Sequence, residues 1–570
     1  MMTAIASEDF KKNIQGGFRY VDKTELLISL LDGSHESTFF LRPRRFGKTL
    51  TLSMIHYFME DTRNEALNAE NRKLFEGLRI MEAGGKYTRE MTSAPVIHLT
   101  FQNVKDETFK DAFDLLLSEI QDLYAKNQYL LKDGKLTEED EAYFLRILRG
   151  QDLQGRKRTR ADCLKSLQKM TEFLHRASGK KAVVLIDEYD VPLEQAYRRG
   201  YYQKMVGVIG PMLQYVLKTN SENLHFAVVT GCLRIAKEGI YTGLNNPDVN
   251  TVLSHRLCDA IGFTEGEVRK LLLDSGVPEA FEKVKEWYDG YRFGDAVIYN
   301  PWSVIRYIED VTVKPDAPPL PYWANTSENA IIREAAQEAG QGSRDQMEKL
   351  MQGEEIAFSL RENIVYDDLY SDADNLWNIM LSSGYLTVTA FDGEQVRARI
   401  PNREIHKIFR DQIQSWFDER VKSFDVRWLY TFLVDGNAEE VEKILSDQFL
   451  SAMSYYDTVE AFYHGVLLTL MQLNPDYICV SNRESGRGRF DVAAKQRNRW
   501  ETAIILEAKI SKSSARMLSD AKGAAAQIEK RKYRKDLERE GYRTIMTYGI
   551  SFFGKRCRVV QGVTAGCGKG

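Results

Sequence analysis

The sequence lacks the features that identify secreted, zinc-binding or membrane-spanning proteins. Its 6 cysteines are scattered, with no Cys-x-x-Cys pair and no histidine nearby at zinc-ligand spacing, so neither a disulfide framework nor a zinc site is predicted. No run approaches about 18 consecutive apolar residues. Met1 to Asp9 contain no basic flank and no apolar segment of the kind that signal peptides have. We therefore expect a cytoplasmic protein with no membrane partner.

Internal repeats, low-complexity tracts and a strong charge imbalance are also missing. The 570 residues are 43 % hydrophobic and 28 % charged, with a net charge of −4. A chain of this length exceeds one compact core, and roughly 100–200 residues per domain predict about three to five units. The near-balance of charge does not exclude a nucleic-acid partner, because local charge matters more than the sum.

Short apolar runs separated by amphipathic helical stretches predict an α/β fold with a parallel sheet and helices on both faces. The runs lie at 38–41, 94–101, 182–186 and 224–230. Further along, residues 376–420 combine a helix, a hairpin that turns at Asp392-Gly393 and a second helix, which is compatible with a winged-helix unit. We expect four regions: a core with the parallel sheet, a helical lid or linker, a winged-helix-like region and a C-terminal α/β domain, at 1–262, 263–370, 371–440 and 441–570.

The basic segment Arg42–Thr49 is predicted to be a phosphate-binding loop, because it lies between an apolar strand and a helix. In such a loop, backbone N–H groups at the helix start bind phosphate, Lys48 reaches the β/γ phosphates, and the Thr49 hydroxyl binds Mg²⁺. The general pattern opens with glycine where this chain has Arg42. From these residues alone, a chance Gly-Lys-Thr in a basic turn stays an alternative.

A pair of acids supports the loop assignment. Asp187 and Glu188 follow the apolar run at 182–186, as acids do in P-loop ATPases, where the first holds Mg²⁺ through water and the second polarises the attacking water. Taken alone, an acid pair after a strand is more often a solvated turn. Two such motifs in the correct order, each at a strand end, favour a nucleotide site that uses ATP and Mg²⁺.

Further residues complete the expected nucleotide site. Thr230 ends the next strand and is expected to sense the γ-phosphate, while Arg234 is either a charge-stabilising arginine or an ordinary surface arginine. Two loop arginines are expected to contact phosphate directly or a nucleotide on a neighbouring subunit, which leaves a homo-oligomer open. The loop residues assigned to nucleotide binding are Arg44, Arg45, Phe46, Gly47, Lys48 and Thr49.

These motifs resemble the bacterial AAA-ATPase-like family. The matching segments are Tyr20–Thr24, Arg42–Thr49, Leu185–Asp190, Thr230-Gly231, Leu244–Asn246, Tyr288–Tyr291 and Tyr299–Ser303. In that family the phosphate loop itself reads Arg-Pro-Arg-Arg-Phe-Gly-Lys, so Arg42 fits the pattern. The resemblance implies an ATPase module that is commonly followed by a small nuclease-like domain, and it implies no particular biological substrate.

The C-terminal part contains a candidate carboxylate site. Asp491 and Glu507 lie in two apolar segments joined by a polar turn at 496–498, and a hairpin would bring both to one Mg²⁺ ion. Lys509, two residues after Glu507, projects from the same strand face and would position water or stabilise charge. This order resembles the PD-(D/E)XK nuclease fold, in which Gln527 would lie near the metal, and Glu460 is a possible additional acid. The alternative is a solvated hairpin.

Local charge favours a polyanionic partner for this region. Residues 481–560 contain 20 Lys and Arg against 9 Asp and Glu, a net charge of +11, which suits a nucleic-acid substrate, DNA in the first place. A solvated basic helix paired with an acidic neighbour is the alternative. The sequence thus predicts an ATP-hydrolysing protein coupled to a Mg²⁺-dependent nuclease, with a role against foreign DNA. Two rivals stay open: a nucleotide-dependent switch that binds without cutting, and a partner-remodelling ATPase.

Overall fold

The computed structural model of the chain forms two compact units, 1–409 and 410–570, and each is described by itself. None of the described helices combines the length and apolar composition that a membrane span requires. The described residues are 7–33, 35–233, 247–324, 346–347, 349–361, 373–412, 426–449, 467–468, 470–481, 484–485, 488–489, 492–496, 498, 501–531, 534–553 and 556–562.

A five-stranded parallel sheet forms the core of the N-terminal unit. Its strands are β1 (Ser37–Leu41), β2 (Val96–Thr100), β3 (Ala182–Asp187), β4 (Leu224–Gly231) and β5 (Asp248–Asn250), in the spatial order β2-β3-β4-β1-β5. All pairings are parallel. Every residue of β3 is buried, which explains its uninterrupted apolar run. The predicted α/β fold with a parallel sheet is therefore confirmed.

Helices connect and cover these strands. Alternate residues of β2 and β3, such as Ile97, Leu99, Val184 and Ile186, pack into one large cluster with apolar side chains of the helices, because side chains alternate between the two faces of a strand. The helices of this part are α1 (Phe10–Gln15), α2 (Leu26–Asp32), α3 (Lys48–Met59), α4 (Glu65–Lys73), α5 (Gly85–Thr88), α6 (Phe109–Lys126), α7 (Glu138–Arg149), α8 (Arg160–Leu164), α9 (Ser166–Ser178), α10 (Val191–Arg198) and α11 (Tyr202–Leu217), with 3-10 turns at Arg79–Glu82 and Gln128–Leu131.

A helical region with two small sheets completes the N-terminal unit. Thr264 and Glu267 form a capping box at the start of α12, in which each side chain satisfies a backbone N–H of the helix end. The elements are β6 (Phe263–Thr264), α12 (Glu265–Asp274), a 3-10 turn (Pro278–Ala280), α13 (Phe281–Tyr288), β7 (Tyr291–Phe293), β8 (Ala296–Tyr299), α14 (Pro301–Val313) and a 3-10 turn (Tyr322–Ala324). A group of buried apolar side chains between Phe263 and Ala317, most of them from α12, α13 and α14, packs together, and we call this group the lid cluster.

The hairpin predicted after residue 385 is present. It follows α15 (Ala373–Ser383) and consists of β10 (Thr387–Phe391) and β11 (Gln395–Arg399), paired antiparallel. A third strand, β9 (Ile356–Ser359), pairs with β11 and had no clear signal in the sequence.

The C-terminal unit contains a second five-stranded sheet, in the order β12-β15-β16-β17-β18. Only β16 and β17 pair in parallel. The elements are α16 (Arg427–Asp435), α17 (Ala438–Lys443), a π-helical turn (Ile444–Phe449), β12 (Tyr477–Ser481), β13 (Glu484–Ser485), β14 (Gly488–Arg489), β15 (Val492–Gln496), β16 (Thr502–Ile510), a 3-10 turn (Ser514–Arg516), α18 (Met517–Arg531), α19 (Arg534–Glu540), β17 (Thr544–Phe553) and β18 (Arg556–Gln561). Because α16 packs into the same cluster as these strands, the division between the units falls inside the segment 371–440.

The phosphate-loop segment approaches the hairpin region closely at one glycine. Gly384 has φ of +92°, and a Cβ atom added there would lie 2.7 Å from the Cβ of Pro43. Gly393, in the hairpin turn, has φ of +104° with open space around it. The two positions share a backbone conformation that favours glycine and differ in what surrounds them.

We predict that Gly384→Ala lowers the free energy of unfolding more than Gly393→Ala does. Both changes strain the backbone, but only the first forces a methyl group into Pro43, which adds about 1–3 kcal/mol of overpacking. Thermal unfolding of the two variants measures the difference. Equal midpoints would show that the loop and the hairpin region are not in firm contact.

Candidate functional site

The segment between β1 and α3 has the backbone of a phosphate-binding loop. Gly47 has φ of 95° and immediately precedes the helix that begins at Lys48. Arg45 also lies in the left-handed region, with φ of 65°. This path turns the chain from the strand end directly into a helix start, where free backbone N–H groups attract anions.

Three predicted residues meet at the carboxyl ends of β3 and β4. The Thr49 hydroxyl donates a hydrogen bond to Asp187 Oδ2 at 2.6 Å, and the Thr230 hydroxyl donates one to Asp187 Oδ1. Because β4 lies between β3 and β1 in the sheet, the ends of these strands are neighbours. The sheet order therefore brings together residues that are separated by more than a hundred positions in the chain.

The Lys48 side chain is buried within the loop. Its ammonium donates to the carbonyl oxygens of Arg42 and Pro43, each at 3.0 Å, and it is only 5 % exposed. The Sγ atom of Cys232, at the end of β4, lies 3.7 Å away. Lys48 thus places a positive charge beside the end of β4, the neighbour of the strand that ends at Asp187.

Glu188 follows Asp187 in a strained conformation. Its φ is 51°, which is uncommon for a residue with a side chain and is typical of functional sites. Burial raises the pKa of Glu188, and the Lys48 ammonium and the Arg44 guanidinium oppose that shift. Two residues further on, Asp190 accepts backbone N–H bonds from Cys232 and Leu233 at 2.7 and 2.9 Å, which fixes this turn to the end of β4.

Arg42 is a buried structural residue. Its guanidinium donates to the carbonyl oxygens of Asn250 and Leu257, both at 3.3 Å, and lies 4.9 Å from the ring centroid of Phe293. Burial lowers the pKa of Arg42 to about 10, so the group stays charged at neutral pH. Arg42 occupies the position that holds glycine in the general pattern, and it anchors the loop to β5, to Leu257 and to Phe293 of β7.

The side chains of Arg44, Arg45 and Phe46 also have defined partners. Arg44 forms an ion pair with Glu194 at 2.8 Å, and the Arg45 guanidinium lies 4.7 Å from the Trp302 ring centroid. The Phe46 ring is buried and packs against Tyr291 and Phe293, with centroid distances of 4.9 and 5.2 Å. The ring of Phe46, one of the expected nucleotide-binding residues, is therefore used for packing.

The loop opens into a cavity of about 600 Å³. This volume lies within the range of about 300–1,000 Å³ that is usual for ligand pockets. Gly47, Lys48, Thr49 and Glu188 border it. Sequence reasoning missed further polar residues at its border, whose positions only the fold reveals: Lys23, Gln102, Lys105, Glu194, Gln195 and Arg198.

Three predicted residues, Arg234, Glu460 and Asp491, lie outside the described residues. The hairpin was expected around Asp491, and those of its residues that are described form it. β15 pairs antiparallel with β16, and Val492 lies opposite Leu506.

In the C-terminal unit, Glu507 and Lys509 continue one face of β16. Ala503 and Ile505 of that face pack against Ile528 of α18, while Leu506 and Ala508 pack into the cluster on the other side. The Gln527 amide donates a hydrogen bond to Glu507, and the Lys509 Nζ lies close to Gly523, one helical turn before Gln527. The structure therefore brings Glu507, Lys509 and Gln527 together under α18.

A glycine that sequence reasoning missed determines how closely α18 approaches the sheet. Gly549 of β17 lies opposite Glu507, and a Cβ atom added there would come within 2.2 Å of the Ala521 carbonyl oxygen and the Ala525 nitrogen. Only glycine fits such a contact. A single glycine inside an apolar strand is the signal that indicates it.

Glu404 is a buried acid behind the phosphate loop. Its Oε1 accepts hydrogen bonds from the Ser303 hydroxyl at 3.0 Å and from the Trp323 backbone N–H at 2.9 Å. Burial raises the pKa of Glu404 to about 7. The Trp323 indole N–H in turn lies 3.4 Å from the Arg44 carbonyl oxygen, so the acid supports the residue that packs against the loop.

Comparison with known proteins identifies two matching families. Residues 4–241 match the family described as "Predicted AAA-ATPase", and residues 458–562 match the PD-(D/E)XK nuclease superfamily. A similar protein from Azotobacter chroococcum mcd 1, described as "Uncharacterized protein in vnfD 5'region", is 26 % identical over 407 residues, which are 70 % of this chain and 67 % of that protein.

We predict that Glu404→Gln raises the thermal midpoint at pH 8 and changes it little at pH 5. Between the ordinary carboxyl pKa of 4.5 and about 7, the folded chain holds a proton that the unfolded chain has released. The free energy of unfolding of wild type therefore falls as pH rises through this window, by up to about 3 kcal/mol, and a neutral amide removes that loss. The control is the exposed Glu394→Gln, and a variant with the same pH dependence as wild type would contradict the assignment.

Proposed function

Because this chain combines an AAA-ATPase-like domain with a C-terminal PD-(D/E)XK nuclease-superfamily domain, we propose that it hydrolyses ATP and cleaves DNA with Mg²⁺, under control of the bound nucleotide. The observation that carries the ATPase part is the convergence of Thr49, Asp187 and Thr230 beside a loop that ends in Gly47-Lys48.

The donor set beside the loop fits Mg²⁺. The Thr49 hydroxyl and the Asp187 carboxylate are hard oxygen ligands, and their oxygens lie 2.6 Å apart. Mg²⁺ usually keeps several waters and binds protein through one or two side chains together with phosphate oxygens, which agrees with so small a set. When bound, the ion would neutralise charge on the β and γ phosphates.

The chain's own residues then have separate roles in hydrolysis. The backbone N–H groups at the start of α3 bind phosphate oxygens, and the Lys48 ammonium stabilises negative charge on the β/γ phosphates. Glu188 accepts a proton from the attacking water, a role that benefits from a pKa raised toward the working pH. Arg44, which borders the same cavity, supplies additional positive charge, and Thr230 holds the orientation of Asp187.

In the C-terminal domain we propose Glu507 and Asp491 as metal ligands and Lys509 as the residue that stabilises developing charge. Glu507 is only 3 % exposed, and Gln527 orients its carboxylate through the amide hydrogen bond. A bound Mg²⁺ would polarise the phosphodiester and lower the pKa of its water. The Lys509 ammonium is a hydrogen-bond donor that cannot bind a metal ion, so it acts on the attacking water or on the charge that develops at the leaving group.

The surface around this site suits a polyanion. The segment 481–560 has a net charge of +11, and several bases that follow Lys509 in the chain are exposed, namely Lys512, Arg516, Lys522 and Lys530. We propose DNA as the substrate and defence against foreign DNA as the biological role. A chain that binds ATP and DNA without cutting would instead be a nucleotide-dependent switch, and an ATPase indifferent to DNA would be a remodelling factor.

For the ATPase site, we predict that Lys48→Ala abolishes ATP binding and hydrolysis. Glu188→Gln keeps ATP bound and lowers turnover by about 100-fold or more, because it removes only the proton acceptor. Isothermal titration and a phosphate-release assay separate the two effects. Lys135→Ala, at an exposed residue that does not border the cavity, is the control. Lys48→Ala with wild-type affinity would refute the phosphate-loop assignment.

For the nuclease site, we predict that Glu507→Gln and Asp491→Asn each reduce Mg²⁺-dependent plasmid cleavage on the order of 10³-fold, since a lost metal ligand costs several kcal/mol of transition-state stabilisation. ATP hydrolysis stays at the wild-type rate. Lys509→Ala keeps Mg²⁺ binding and loses cleavage. The control is Glu501→Gln, at an exposed residue just before the same strand. If wild type binds plasmid but does not cut it, with or without ATP, the nuclease proposal is wrong and the nucleotide-dependent switch replaces it.

A further inference from the structure

A short hairpin between α7 and α8 is strongly basic. The segment 149–160, which we call the basic hairpin, contains one Asp and five Lys or Arg residues, namely Arg149, Arg156, Lys157, Arg158 and Arg160. None of these residues borders the cavity beside the phosphate loop. The proposed ATP hydrolysis therefore does not account for this concentration of positive charge.

Hydrogen bonds give the basic hairpin a defined backbone. Gln151 and Lys157 form an antiparallel bridge, and the Arg158 N–H donates to the Gly150 carbonyl oxygen at 2.8 Å. Gly150 and Gly155 have φ of 82° and 76°, in the left-handed region that favours glycine. The hairpin thus closes as a tight turn, and its tip lies between the two bridged residues.

The acids of this region are used inside the structure. The Asp152 side chain is 0 % exposed, and its Oδ1 accepts the backbone N–H groups of Gln154 and Arg156 at 3.0 and 2.8 Å. The Arg146 guanidinium donates to Asp152 Oδ2 at 3.4 Å and lies 3.3 Å from the carboxylate of Asp162, the next acid in the chain. Both carboxylates are therefore neutralised within the fold, and the charge that the basic hairpin presents to solvent is positive.

Two cations and one apolar side chain of the basic hairpin are left for a partner. Arg149 and Lys157 are exposed, and neither side chain forms an ion pair or a hydrogen bond with any residue that the structure describes. Leu153, at the tip, is 78 % exposed. Burial of such a side chain against a partner is favourable, because it removes apolar surface from water.

We propose that the basic hairpin binds double-stranded DNA, an inference that rests on the DNA substrate proposed above. Arg149 and Lys157 contact phosphate oxygens, and Leu153 enters the minor groove, as apolar side chains of DNA-bending proteins do. Arg160 contacts phosphate as well, because its hydrogen bond to the Gly207 carbonyl oxygen at 2.8 Å uses only one of the five N–H groups of its guanidinium.

The arrangement of charge favours a duplex over an acidic protein segment. Arg149 lies at the start of the basic hairpin and Lys157 on its returning arm, with the apolar tip between them in the chain. A DNA duplex presents about one negative charge per 1.7 Å of its axis, in two backbones that flank a groove. Cations on both arms and an apolar side chain at the tip match that pattern. The ATPase domain then contacts the same polymer that the C-terminal domain cleaves.

Salt-dependent binding of the full chain to a labelled DNA duplex, measured in EDTA so that no cleavage occurs, tests this proposal. The double variant Arg149→Gln/Lys157→Gln removes two cations without breaking a side-chain contact. We expect weaker binding, and the slope of log K against log salt should become less negative by about 2, since each phosphate contact contributes about 0.9.

The matched control is the double variant Lys135→Gln/Lys180→Gln, which removes the same charge from two exposed residues. Lys135 precedes α7, whose 12 residues span about 18 Å before the basic hairpin begins, and Lys180 follows α9. We expect this control to keep the wild-type affinity and slope. Thermal midpoints of all variants check that each is folded.

Leu153→Ser tests the apolar contact separately. We expect DNA binding to weaken by about tenfold, the order of the loss when a leucine side chain is no longer buried, with the salt slope unchanged because no charge is removed. Leu273→Ser, at a residue of α12 that is 65 % exposed, is the control and is expected to bind as wild type does.

The outcomes separate this inference from the proposed nuclease function. Hairpin variants that bind DNA with wild-type affinity and slope would overturn the inference, while plasmid cleavage by wild type would still support the nuclease. Variants that lose binding of polyglutamate but keep that of DNA would also overturn it, because the hairpin would then serve an acidic protein. If the hairpin variants lose DNA binding but wild type never cuts plasmid, the inference holds and the nuclease proposal is wrong.

Discussion

The loop from Arg42 to Gly47 lies at the centre of the N-terminal unit because its side chains are held by different parts of that unit. Arg42 reaches β5 and the lid, Arg45 stacks on Trp302 of α14, and Phe46 packs between Tyr291 and Phe293. A loop rich in glycine has no such anchors. Here the contacts of Arg42, Arg45 and Phe46 fix the shape of the loop.

This arrangement makes the geometry of the phosphate loop dependent on the lid and the hairpin region. Gly384 leaves just enough room for Pro43, and the Trp323 indole lies against the Arg44 carbonyl oxygen. Buried Glu404 accepts hydrogen bonds from the backbone of Trp323 and from Ser303. A shift of the loop would therefore disturb its contacts with the hairpin region and with Trp323.

The two candidate sites share one structural feature, although they lie on different sheets. In each, a carboxylate at or near the carboxyl end of a buried strand is oriented by a hydrogen bond from a neighbouring element, Thr230 for Asp187 and Gln527 for Glu507. This hydrogen bond fixes the direction in which each carboxylate points, as hydrogen bonds to metal-binding side chains commonly do.

Local sequence patterns were enough to predict those structural features that depend on residues close together in the chain. The continuous apolar run at 182–186, the capping pair Thr264 and Glu267, and the alternation around Glu507 each follow from a local rule of burial or hydrogen bonding, and the structure contains the corresponding strand, helix start and strand face. The order Gly47-Lys48-Thr49 and then Asp187-Glu188 likewise indicated a nucleotide site, because each motif carries its chemistry within a few residues.

The tertiary structure alone decided which distant residues meet. Nothing near Arg42 in the chain indicates that its guanidinium is buried against Asn250, Leu257 and Phe293, and nothing near Tyr20 indicates that Lys23 pairs with Glu267. The strand order β2-β3-β4-β1-β5 placed Thr49 beside Asp187, and the close approach of α18 to Gly549 placed Gln527 beside Glu507. Such contacts depend on how whole elements pack, and packing is a property of the assembled surfaces that no local pattern of residues contains.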